Sequence, residues 1–151
     1  MNVRDTYTSY LSEAGYRPTL DERGNVCFRC EGGHYMILVD DDDPKFFQLL
    51  YPNFWPIDGA PESHRALAAA ATLTASVKIA KVLVVGNNVH VSAELLLPTA
   101  AAIEAVLERS VATIRAAVER FRTLMTADVG TCEPIGRDDA PRDFGEWRPR
   151  F

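Results

Sequence analysis

The stretch VCFRCEGGHYMILV, residues 26–39, decides the fold. On both sides of Gly32-Gly33 the apolar residues alternate, and a period of two belongs to strands rather than helices. A two-residue Gly-Gly loop suits a primed hairpin turn. That turn pairs Glu31 with His34, Cys30 with Tyr35, Phe28 with Ile37 and Val26 with Val39. One face of the hairpin is then wholly apolar. The other carries Cys27, Arg29, Glu31, His34, Met36 and Leu38.

Working toward the N-terminus, Pro18 to Asp21 reads as extended chain and Asp21 to Asn25 as a turn. Before them, Val3, Tyr7, Tyr10, Leu11 and Ala14 fall at helical spacing, with Gly15 where a C-terminal cap belongs. Toward the C-terminus, Asp43 followed by Pro44 reads as a helix start, and Pro52 and Pro56 keep that helix short. An Ala-rich helix is expected from Pro61 to Val77. A second hairpin follows, Ile79–Val85 and Val89–Leu97, turning at Asn87-Asn88 and placing Lys81 directly across from Glu94. After Pro98, the residues Ile103, Val106, Leu107, Ser110, Val111, Ile114, Val118, Phe121 and Met125 make the apolar stripe of a long helix.

The order is therefore α-β-β-β-α-β-β-α, an α+β two-layer sandwich with an antiparallel sheet of about five strands. Residues 1–125 form the domain. Residues 126–151 hold Gly130, Pro134, Gly136, Pro141, Gly145 and Pro149 among mixed charges and read as an irregular tail. The tail's close, Asp143 to Phe151, interleaves aromatics with Arg.

A chain of 151 residues buries enough surface for a proper core. Its net charge of −5 and lack of a basic cluster argue against nucleic acid and anionic membranes as partners. No apolar run is long enough to span a bilayer, and Asp5, Glu13, Asp21 and Glu22 sit where a signal peptide would need apolar residues. A cytoplasmic protein with free thiols is the expectation, its three cysteines being an odd number.

The motifs that tempt toward chemistry do not hold it. Cys27 and Cys30 lie three apart on a strand, so their sulfurs diverge, and no second ligand pair stands at a zinc-site spacing. Asp40 to Asp43 lacks the alternating ligands of a calcium loop and suits the positive end of a helix. The Gly-Gly and Gly86-Asn87-Asn88 turns lead into strands, not into the helix that a phosphate cradle requires. No catalytic, cofactor or metal residue is assigned. A rival reading gathers Cys27, Glu31, His34 and Asp40–Asp43 into a small-ligand or metal site, which requires them to converge on one concave pocket.

What remains is apolar surface. Ile79, Leu83, Val85 and Leu96 of the second hairpin share the face opposite the core with His90 and Ser92. Met36 and Leu38 of the first hairpin add to it. If helices cover only the other face, these six apolar residues are candidates for partner or dimer contact.

Residues 3–125 resemble the YbjN-like proteins, which share the fold of the type III secretion chaperones. The likeness runs through LSEAGYRPTLDERGNVCFRCEGG (11–33), YMILVDDDDPKFFQLLYPNFWPI (35–57), RALAAAATLTASVKIAKVLVVGNNVHVSAELLL (65–97) and the closing helix AAIEAVLERSVATIRAAVERFRTLM (101–125). Many relatives carry Asn near the end of the middle helix, where this chain has Thr72, Thr74 and Ser76. The resemblance implies a non-enzymatic homodimer, without cofactor, that binds another, unidentified protein in a chaperone-like or adaptor role. The secretion function itself is not carried over.

Overall fold

The computed structural model describes residues 2–127. Helix α1 (Val3–Glu13) opens the chain, capped by Asn2, whose side chain accepts from the Asp5 N–H at 2.8 Å. It ends in a Schellman motif: Tyr16 N–H reaches Leu11 O, Gly15 N–H reaches Ser12 O, and Gly15 takes φ +89°. Six strands follow the expected α+β plan: β1 (Thr19–Leu20), β2 (Val26–Cys30), β3 (Gly33–Leu38), β4 (Phe46–Pro56), β5 (Ala80–Val85) and β6 (Asn88–Leu96). Helix α2 (Gly59–Ser76) joins β4 to β5, and a 3-10 turn at Ala100–Ala102 leads into α3 (Ile103–Thr126). The strands form one antiparallel sheet in the order β1-β2-β3-β4-β6-β5.

One expectation fails outright. The chain from Pro44 is no short helix but leads into β4, at eleven residues the longest strand of the sheet and one of its inner ones. The order is thus α-β-β-β-β-α-β-β-α, with six strands. Phe47, Leu49 and Tyr51 alternate with Phe46, Gln48 and Leu50, and aromatic side chains favour the pleat. Without β4, the two hairpins would present unpaired edges to each other. Pro52 is accommodated because pairing jumps from Tyr51↔Val91 to Trp55↔Val89, a bulge in which Asn53 takes φ +52°.

Both hairpins form, each two residues out of the expected register. The first turns on Glu31-Gly32 (φ +48° and +79°), so Phe28 faces Tyr35 and Val26 faces Ile37. Gly33 is needed elsewhere. A Cβ there would lie 2.8 Å from Tyr51 Cε2 and 2.9 Å from Tyr35 Cε2. The second turns on Gly86-Asn87, Gly86 having φ +58°, so Lys81 faces Ser92 and its ion pair with Glu94 forms diagonally. Because side chains alternate with period two, a two-residue slip leaves each residue on its expected face.

Tyr7 and Leu11 of α1, Ala66, Ala69, Ala70 and Leu73 of α2, and the α3 stripe share one core with Val26, Phe28, Tyr35, Ile37, Phe47, Leu49, Val89, Val91 and Ala93. Of the expected stripe only Val106 is half-exposed. Phe121 meets Phe54 and Trp55 edge-on, at 5.3 and 5.8 Å between ring centres. The α2 N-terminus is held by Glu62, which accepts from the Asp58 N–H (2.5 Å) and from Trp55 Nε1 (3.1 Å). The tail read over 126–151 lies outside the described residues beyond Ala127, as does its aromatic-Arg close.

Candidate functional site

All three helices pack on one face of the sheet; on the other, Ser92 and Cys27 are buried among half-buried and exposed neighbours. Cross-strand register sets its side chains in rows. One row runs Cys27, Met36, Leu50, Ser92, Lys81; the next runs Leu38, Gln48, Glu94. Phe46 stands opposite Leu96, Leu83 opposite His90 and Val85 opposite Asn88. Met36, Leu38 and Leu83 are half-buried, whereas Val85 is 60% and Leu96 77% exposed.

Five of the six expected contact residues are therefore on this face. Ile79 is not. It takes φ +57°, a costly conformation for a β-branched residue. It packs against the core on the helix side, beside Leu95 and Val106. Strand alternation placed it outward, but it precedes β5, where the alternation does not hold. Phe46 and Leu50 belong to the face and were missed because residues 44–51 read as helix; their period-two spacing with Gln48 was the available signal.

The middle of the face is polar and internally paired. Gln48 Nε2 donates to Ser92 Oγ (3.0 Å) and to Glu94 Oε1 (3.2 Å), Ser92 Oγ donates to Glu94 Oε1 (3.2 Å), and Lys81 pairs with Glu94. His90 Nδ1 accepts from the Asn53 N–H at 3.2 Å, and burial pushes the imidazole pKa below its ordinary value. The β5 edge is also occupied. Thr74 Oγ1 of α2 accepts from the Val82 N–H (2.9 Å) and donates to Val82 O (3.5 Å), taking up backbone groups that would otherwise be open to another strand.

The residues of the rival site are not brought together. Cys27 and His34 line a cleft of about 360 Å³ with Tyr16, Arg17, Thr19 and Arg29. Glu31 instead pairs with Arg115 beside a different cleft. Asp40–Asp43 form an exposed turn between β3 and β4, not a helix cap; Asp41 meets Arg4 at 3.2 Å, and the Asp42 N–H donates to Asp40 Oδ1 at 3.0 Å. The two strand cysteines diverge as expected. Cys30 meets the Tyr16 hydroxyl at 3.7 Å, a contact that with burial pushes the phenol up to about 12. Burial, reinforced by the Asp21 charge, raises the Cys27 thiol. Among the described residues, no three His, Cys, Asp or Glu side chains are grouped so as to hold a metal, and no helix is long and apolar enough to cross a membrane.

Comparison with protein-family models and with curated proteins gives no match to this chain.

Proposed function

We propose that this chain is a non-enzymatic, cytoplasmic protein-binding module with a chaperone-like or adaptor role. It acts as a homodimer through the helix-free face of its sheet. The observation that carries the reading is the one-sided packing of α1, α2 and α3, which leaves Met36, Leu38, Phe46, Leu50, Leu83, Val85 and Leu96 around a paired polar centre. Gln48, Ser92, Lys81 and Glu94 already pair with one another, which lowers the cost of covering them without removing the desolvation of the ion pair. A face of mixed apolar rim and fixed polar centre also suits the self-complementary contact of a two-fold dimer.

The test is native mass spectrometry of the full chain beside its Leu96→Asp and Leu83→Asp variants. The expected result is a species at twice 16.7 kDa for the parent and a folded monomer for both variants. A parent that is monomeric at micromolar concentration sinks the dimer. Leu96→Asp is the cleaner variant, since a side chain 77% exposed contributes little to the monomer's own stability.

A further inference from the structure

One polar residue interrupts the buried stripe of α3. Ser110 is fully buried, and its hydroxyl meets no hydrogen-bond partner among the described residues. A helical Ser or Thr ordinarily returns its hydroxyl to the carbonyl one turn back. Ser12, Thr72, Thr123 and Thr126 all do so here, to Thr8, Ala68, Glu119 and Arg122. Ser110 does not, and a buried hydroxyl without a partner is unfavourable.

Ser110 lines a cleft of about 330 Å³ with Ile79, Leu95, Ala105, Val106 and Arg109. Its walls are apolar, and its one charged residue is Arg109, which is exposed and makes no ion pair among the described residues. The helical neighbours of Arg109 one turn away are Ala105, Val106, Ala112 and Thr113, so no carboxylate stands within side-chain reach along its own helix face. The opposing wall is Ile79, whose left-handed backbone is a form of stored strain that clusters at binding sites.

We propose that this cleft binds a small monocarboxylate with a short apolar chain. The chain lies against Ile79, Leu95 and Val106. The carboxylate accepts from the Arg109 guanidinium and from the Ser110 hydroxyl, turned into the cleft by rotation about its χ1 bond. A single cation and a single hydroxyl donor match one carboxylate. A phosphate would leave most of its oxygens against apolar walls, and a neutral alcohol would give Arg109 no role. The volume, at the low end for small-molecule sites, limits the chain to about eight carbons. This site lies on the helix side of the sheet and is independent of the proposed dimer face.

The probe is octanoate, titrated into the full chain and followed by calorimetry and by backbone amide shifts, with octanol and acetate as controls. Saturable one-to-one binding that moves the Ile79, Val106 and Ser110 amides is expected, with octanol and acetate each about tenfold weaker. Ser110→Ala and Arg109→Gln should each weaken octanoate about tenfold, while Leu96→Asp leaves it unchanged. The absence of saturable shifts, equal binding of octanol, or a Ser110→Ala variant that binds as tightly as the parent overturns the proposal. Alanine is a good helix former, so Ser110→Ala keeps α3 intact; its amide spectrum checks that before titration.

Discussion

Tyr7 and Ser110 pose the same question at the scale of single residues, since each buries a hydroxyl without a partner. Tyr7 is 1% exposed and meets Phe47 edge-on at 5.9 Å between ring centres, and burial raises its phenol pKa. Tyr7→Phe keeps the ring and removes the unmet group, so urea denaturation should give unchanged stability or a gain of up to about 1 kcal/mol. A loss larger than that means the hydroxyl is paired after all. Gly33 is constrained by space rather than by backbone angle. Gly33→Ala should cost about 2 kcal/mol, because the rings of Tyr35 and Tyr51 must both give way. His90 adds a pH dependence whose sign follows from its lowered pKa. The unfolded chain binds the proton more readily, so the stabilisation is complete above the unfolded value of about 6.5 and is lost as pH falls through the folded value. Protonation of Nδ1 also removes the acceptor for Asn53. Denaturation midpoints for the parent should fall between neutral and mildly acid pH more steeply than those of a His90→Gln variant; parallel curves would rule His90 out as the cause.

The element that organises the sheet is β4, and the one that guards its edge is α2. Thr74 reaches from α2 to both backbone groups of Val82, joining helix to strand at a point where another strand would otherwise pair. Thr74→Val preserves shape but removes both bonds. It should cost about 1 kcal/mol and raise light scattering on prolonged incubation, as an opened edge invites strand addition. Unchanged stability and scattering would show the edge to be protected by packing alone. The sequence placed Thr74 near the end of an Ala-rich helix, yet nothing local revealed its partner eight residues on.

At the scale of the whole molecule, the arrangement of the described residues is asymmetric: all three helices build the core on one side of the sheet, and none of them lies on the other. The face on which Met36, Leu38, Leu83, Val85 and Leu96 lie was legible because strand alternation assigns faces without knowing the partner strand, and a two-residue register error leaves the faces intact. Phe46 and Leu50 were not legible, since Asp43-Pro44 is a local helix-start signal and the pairing that overrides it comes from β3 on one side and β6, over forty residues later, on the other. The Ser110 cleft was equally hidden. In the sequence Ser110 is one position of an apolar stripe; only the packing of Ile79 and Leu95 against α3 makes it the lining of a cleft.

The sequence by itself determined whatever depends on neighbours a few residues away. The α3 stripe, the Schellman end of α1, both hairpins and the inward or outward sense of their side chains all follow from periodicities of 3.6 and 2 and from glycine placement. Only the tertiary structure decided what depends on contacts distant in the chain. It made residues 46–56 a strand and chose Glu31-Gly32 as the turn, leaving Gly33 free to clear two tyrosine rings. It also turned Ile79 from the sheet face toward the helices. The physical reason is common to all three. Local preferences differ by about a kilocalorie per mole, and pairing a central strand or burying an aromatic side chain outweighs them.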